Sequence, residues 1–238
     1  MSRSIIVVGL CALAIALSLA VRTVQQQNEQ ILGELSQIRQ LVEKTAPAER
    51  VTLSSVAGDF LGRADAPLTM VEFTDLQCPF CRQFHATAFA QIKRDYIDTG
   101  KLRYISRDFP LDTIHPLAIA ASRADRCAGE QGKFWEMRHA ILGNGKLKSD
   151  SFAGYAKDLT LDVARFNACV GDTARLDARW QSDRAEGVSV GVTGTPAFVI
   201  GRSTARGLEG IRLAGAKPYS VFDAALKDLL GAPIAAAP

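Results

Sequence analysis

The chain opens with residues 5–21, seventeen positions without a charge, diluted only by Gly9 and Ser18. Apolar positions then return at a helical period. Val24, Asn28, Ile31, Leu35, Ile38 and Val42 step by four, three, four, three and four, the seam of a coiled coil with one polar position. Pro47 ends that helix, and "APAER" reads as a linker. From there the period shortens: "VTLSSV" predicts an edge strand, "GDFLGRADAP" a surface connection, and "LTMVEFT" a buried strand. In "PFCRQFHATAFAQIKRDYIDTG", Phe80, Phe84, Ala88, Ile92 and Tyr96 fall on one helical face, with Gly100 as the stop. "KLRYISRDF" before Pro110 predicts a second buried strand, which completes a βαβ unit. Residues 115–187 read almost entirely as helix, an inserted subdomain. "TPAFVIG" and "GLEGIRLAG" then predict two strands joined by a basic turn, and "KPYSVFDAALKDLLG" a closing amphipathic helix.

The organisation that follows is a signal peptide or anchor at 1–22, a stalk helix at 23–46, and one α/β unit in two parts, 47–114 and 188–231. The helical insertion lies between those parts, and a short Ala/Pro tail occupies 232–238.

Arg3 ahead of the apolar run makes residues 1–22 an export signal. Ser18 and Ala20 are small enough for a signal peptidase, while seventeen apolar residues also reach the lower limit for spanning a bilayer, so cleaved signal and retained anchor both stay open. Cys11, inside the run, reads as an apolar filler. With 22% charged and 47% hydrophobic residues, the remainder has the composition of an ordinary globular protein. A net charge of +3 without basic runs argues against nucleic acid as a partner.

Export changes the meaning of the other four cysteines, because thiols outside the cytoplasm pair or do redox work. Cys78 and Cys81 stand two residues apart where a strand hands over to a helix. Haem attachment would need histidine at position 82, which is Arg82. A closed zinc site would need a second close pair, and Cys127 and Cys169 are far apart; His85 offers a third ligand at most. A purely structural bridge is the remaining plain alternative to redox chemistry. With Pro79 at the first helical position, Cys78 becomes the N-cap, where unpaired N–H groups and the helix dipole favour its thiolate. Cys81, one turn inside, is the more buried of the two. Glu72 falls within a buried strand six residues earlier, where an acid needs a partner or a task, and exchanging a proton with Cys81 is such a task. The "GVTGTPAFVIG" segment places a Gly-Thr-Pro turn ahead of a strand, fitting a loop beside an active site.

Over residues 51–230 the chain resembles the DsbA-like thioredoxin-fold proteins of the bacterial envelope. "VEFTDLQCPFC", "RDFPLDTIHPLA", "CAGEQGKFWEM" and "GVTGTPAFVIG" carry the likeness, in that order. The resemblance implies a thioredoxin fold with an inserted helical subdomain and a thiol:disulfide oxidoreductase that needs no metal or organic cofactor. By that pattern Cys78 is the exposed nucleophile, Cys81 the buried resolving cysteine and Glu72 the proton relay. Thr195 and Pro196 form a cis-proline loop that pairs with the client backbone, and Phe80 is a further substrate contact. Phe80 stands where the best-known oxidases of the family carry histidine, which weakens the expected pull on the nucleophile. Cys127 and Cys169 fall in the first and fourth helices of the insertion. They would pair if those helices are neighbours, closing a loop of about forty residues worth about 3–4 kcal/mol, the alternative being two separate buried thiols.

The leading expectation is an oxidase of exported proteins, recharged by a quinone-coupled membrane partner. An isomerase or reductase kept reduced by a membrane thiol reductase is the alternative, favoured if residues 24–42 assemble several copies. A non-catalytic envelope chaperone or binding protein with a structural bridge is the rival of another class. The expected location is the periplasm or cell envelope, with residues 5–21 as a tether to the inner membrane.

Overall fold

The computed structural model describes residues 17–35 and 49–232. Residues 17–35 form a helix, α1, which stands as its own unit and exposes Val24, Ile31 and Leu35. No described helix is long and apolar enough to cross a membrane. Most of the signal or anchor segment, Cys11, the end of the seam at Ile38 and Val42, the Pro47 linker and nearly all of the tail lie outside the described residues.

The second unit is an α/β fold on a six-stranded mixed sheet. Its strands are β1 (Arg50–Leu53), β2 (Phe60–Leu61), β3 (Leu68–Thr74), β4 (Leu102–Asp108), β5 (Ala197–Thr204) and β6 (Gly207–Ala214), in the order β1-β6-β5-β3-β4-β2. Only β3 and β4 run parallel, as a βαβ crossover requires; all other neighbours are antiparallel. Every residue of β3 is buried, since helices cover both faces of a central strand. Side chains alternate. Leu68, Met70, Tyr104, Phe198 and Ile200 join the core under α2 (Pro79–Ala86), α3 (Ala88–Ile92) and α9 (Tyr219–Gly231). Val71, Phe73, Ile105, Ala197 and Val199 build the core on the opposite face. By this parity Glu72 and Thr74 point beneath α2.

Between β4 and β5 lie five helices: α4 (Ala118–Gly129), α5 (Phe134–Gly143), α6 (Ser151–Asp158), α7 (Val163–Gly171) and α8 (Thr173–Ser189). Their apolar core includes Leu76, Cys78 and Cys81, so the insertion packs directly on the cysteine motif. A buried ionic lattice fastens α4, α5 and α8 to the sheet. Arg138 pairs with Asp125 and with Asp108 at 3.2 Å, Arg126 bonds Asp108 at 2.8 Å and Asp183 at 3.3 Å, and Arg107 pairs with Glu186. Each ion is compensated, which buried charges require. At Gly187 the α8 backbone comes so close to the sheet that an added Cβ would lie 2.9 Å from the Phe73 ring.

Three features differ from the periodic reading. The long helix after Cys78 is broken: Thr87 leaves helical geometry at φ −121° and ψ −80°, its hydroxyl donating to the Gln83 carbonyl at 2.7 Å, and a π-helical turn at Lys93–Ile97 follows α3. Phe80 is 60% exposed rather than part of the buried face, because the first turn of α2 projects past the apolar contacts that begin at Cys81 and Phe84. The connection "GDFLGRADAP" contains β2, a two-residue pairing with β4 that is too short to leave a period.

Candidate functional site

At the end of β3 the chain turns through Asp75, whose buried carboxylate accepts from the Gln77 backbone N–H at 2.7 Å, the Leu111 N–H at 2.8 Å and His115 Nδ1 at 2.8 Å. That carboxylate ties the loop before Cys78 to the loop after β4. Cys78 follows in extended conformation, φ −68° and ψ 126°, as the N-cap of α2 with Pro79 next. No side chain caps the first turn, so its free N–H groups are left for the Cys78 sulfur.

The two thiols diverge sharply in acidity. A hydrogen bond from the Cys81 thiol is the largest influence on Cys78. With the Thr195 hydroxyl and the backbone N–H groups of Cys81 and Phe80 it outweighs burial and lowers the Cys78 pKa to about 5. Burial pushes the Cys81 thiol far up, and the bond it donates to Cys78 and the charge of Glu72 add to that. Protonated, Cys78 donates to the Thr195 carbonyl at 3.5 Å, and the buried Thr195 hydroxyl then has no partner; ionised, the sulfur accepts from that hydroxyl. The Thr195-Pro196 bond is cis.

Beneath α2, Glu72 is fully buried. Its Oε2 accepts from the Tyr104 hydroxyl and from Ser106 Oγ at 3.4 Å, and meets His85 Nε2 at 3.1 Å. Burial alone pushes this carboxyl up, yet the charge and hydrogen bond of His85, the Tyr104 bond and the charge of Arg138 together hold it below its ordinary value. Two buried oxygens on the same strand face have no partner, Glu72 Oε1 and Thr74 Oγ1, and the Thr74 hydroxyl is close enough to temper the Cys81 shift. The site therefore stacks a readily ionised thiol at the start of α2, a protonated thiol one turn inside and a buried acid below that. Thiol–disulfide exchange uses such an arrangement, because the first sulfur attacks or leaves readily while the inner one must gain or lose a proton.

Cys78, Cys81, Glu72 and Thr195 thus come together, with Pro196 buried behind Thr195 and Phe80 exposed between the two cysteines. Cys78 is only 3% open, where the resemblance implies an exposed nucleophile, because it shares the apolar cluster of Leu76 and the insertion. Cys127 and Cys169 form a disulfide joining α4 to α7, with Cα atoms 5.7 Å apart, inside that same cluster. His85, which the sequence offers as at most a third metal ligand, bonds Glu72 instead. Sequence reasoning missed Thr74, Tyr104 and Ser106. The parity of "KLRYISRD" held a clue to two of them, because Tyr104 and Ser106 share a face and the β3–β4 register sets Ser106 beside Glu72.

The family model described as thioredoxin matches residues 54–215. Among solved structures, alpha-DsbA1 of Wolbachia pipientis aligns with TM-score 0.67 and 27% identity, covering 75% of this chain and 94% of that one. BdbD of Bacillus subtilis in its oxidised form aligns with TM-score 0.65 over 78% of this chain and 99% of that one, at 17% identity, a likeness of fold alone. A Na(+)/H(+) antiporter NhaA 1 of Salinispora arenicola is 34% identical over 163 residues, 68% of this chain and 24% of the antiporter. The chain thus spans about a quarter of the length of the curated relatives it matches.

Proposed function

The chain belongs to the thioredoxin family as a DsbA-like protein disulfide oxidoreductase, and from that premise we propose that it is an oxidase of exported proteins. Cys78 is its nucleophile, Cys81 its resolving cysteine and Glu72 its proton relay. Thr195 and Pro196 meet the client backbone, and exposed Phe80 meets client side chains.

The observation that carries this reading is the placement of Cys78 at the uncapped start of α2 against Thr195, with the fully buried Cys81 one turn inside, which lowers the Cys78 pKa to about 5 and holds Cys81 protonated. A stabilised thiolate stabilises the reduced enzyme, so its disulfide is the stronger oxidant by tens of millivolts. In the reaction a client thiolate attacks Cys78, Cys81 leaves and is protonated, and a second client thiolate then displaces Cys78. The client gains a disulfide, and its two electrons pass to the Cys78–Cys81 pair. A quinone-coupled membrane protein would reoxidise that pair, and the envelope is where both steps belong.

Equilibrium titration of the Cys78–Cys81 pair against glutathione tests the direction of flow. A midpoint between about −120 and −200 mV supports the oxidase, and one near −270 mV, in the range of thioredoxin, overturns it in favour of a reductase. One observation favours a second reading. The exposed Val24, Ile31 and Leu35 of α1 repeat at coiled-coil spacing, and an assembly of several copies through them would suit an isomerase. Sedimentation of the chain with and without residues 17–35 separates the two.

A further inference from the structure

Cys81 and Glu72 are both sealed from water, so a proton used at Cys81 must be replaced through one of their neighbours. Tyr104 and Ser106, two of the three hydrogen-bond partners of Glu72, are as buried as the carboxylate itself. The third is His85, whose side chain keeps 12% of its surface open while its Nε2 touches Glu72 at 3.1 Å. It lies one helical turn past Cys81 on α2, and its ring packs between Phe84 and Phe89 at centroid distances of 5.1 and 4.7 Å. An imidazole can take a proton at one nitrogen and release it from the other, which a tyrosine or serine at this acidity does not do.

We infer that His85 is the proton port of the thiol site, the positioning residue through which buried Glu72 exchanges protons with solvent. The inference rests on Cys78 and Cys81 being the reactive pair. When an incoming thiolate bonds to the Cys78 sulfur, the Cys78–Cys81 bond breaks and its electron pair leaves on Cys81. His85 passes a proton to the Glu72 carboxylate, which hands it on to the Cys81 sulfur, and water restores His85. In the opposite direction the same chain carries the Cys81 proton outward. The charged and titratable groups around the port are Glu72 on β3, Tyr104 on β4, Arg138 on α5, acting through Glu72, and Cys81 on its own helix. A second proton donor is not among them: Arg138 does not titrate in water, and Tyr104 is held protonated by burial, ahead of the Glu72 charge.

The test is stopped-flow reduction of the Cys78–Cys81 disulfide by dithiothreitol from pH 5 to 9, with each rate divided by the thiolate concentration. His85→Gln, Glu72→Gln and the double variant are compared with the unaltered protein, and melting is followed alongside. The corrected wild-type rate should be greatest at the acid end, where solvent protons are plentiful, and fall as pH rises. His85→Gln, which keeps an amide donor toward Glu72, should lower the rate about tenfold at the acid end and flatten the profile. The double variant should be no slower than Glu72→Gln alone, since both residues serve one path. A His85→Gln profile that coincides with wild type, a uniform loss at every pH accompanied by a lower melting temperature, or additive losses in the double variant would each overturn the port. If the wild-type disulfide does not react at all while His85→Gln melts normally, the thiol-exchange reading itself falls and takes this inference with it.

Discussion

The molecule contains two cysteine pairs within one apolar cluster, and they are built to opposite ends. Cys127 and Cys169 lie 42 residues apart in sequence and join two helices of the insertion. Closing so long a loop restrains the unfolded chain, and that is where a bridge gains its stabilising effect. Cys78 and Cys81 close only one helical turn, so their bond restrains almost nothing. Their surroundings act on the sulfurs instead: the bond from the Cys81 thiol, the Thr195 hydroxyl and free N–H groups draw charge onto Cys78, while burial, that same bond and Glu72 repel it from Cys81. Sequence separation decides which pair stabilises the fold, and local polarity decides which pair reacts.

Removing one sulfur from each pair breaks that contrast most directly. Cys78→Ser should reduce oxidation of a dithiol peptide by more than about a thousandfold, with little change in melting. Cys81→Ser should accumulate a mixed disulfide through Cys78, visible on non-reducing gels. Full activity in both single variants would assign the chemistry to the other pair. Replacing Cys127 and Cys169 together by alanine should instead cost about 3–4 kcal/mol in urea unfolding and leave exchange at Cys78 within a few-fold of wild type.

Acidity sharpens the contrast further. Cys78 ionises near 5 when folded against an ordinary 9.0, so the reduced fold gains stability from its thiolate. Because the folded value is depressed, that gain is complete above pH 9 and is lost as pH falls through 5. Cys81 shifts the other way and withdraws stability only above about pH 9. Between those limits the reduced protein should unfold at higher urea than the oxidised one. The difference should be about 1–2 kcal/mol at pH 7, after discounting for solvent reaching the sulfur, and close to nothing at pH 4.5. A difference that does not vary with pH would contradict the thiolate assignment. The smallest expected effect is that of Thr195→Val, which removes one donor to the sulfur. It should raise the Cys78 pKa, read from thiolate absorbance, and make the pair less oxidising by tens of millivolts, since one such bond contributes about 1 kcal/mol.

Much of this arrangement is legible in the sequence. The all-apolar run around Glu72 identified a central strand and made the acid conspicuous, and Pro79 after Cys78 identified the helix start. The floor of the site was not legible. Tyr104 and Ser106 reach Glu72 only because β3 and β4 pair in one register across a 27-residue crossover, residues 75–101, and no local period encodes that. His85 looked like a packing residue because its partner is thirteen residues back on another element. Phe80 shows the limit of helical-face counting: a first-turn residue shares the face angularly but lies beyond the end of the core.

The strand order has a consequence for a chain that is synthesised from its N-terminus. β5 is the neighbour of β3 at the centre of the sheet, yet the whole helical insertion separates them in sequence. At a synthesis rate of about 5–20 residues per second, β5 emerges roughly 6–24 seconds after the cysteine motif. Throughout that interval the apolar β3 presents an open hydrogen-bonding edge, and Cys78 waits without the Thr195 loop that will later border it. The nascent chain is thus at its most adhesive and least selective before β5 arrives, and a holding chaperone acting in that window would guard the sheet and the thiol together.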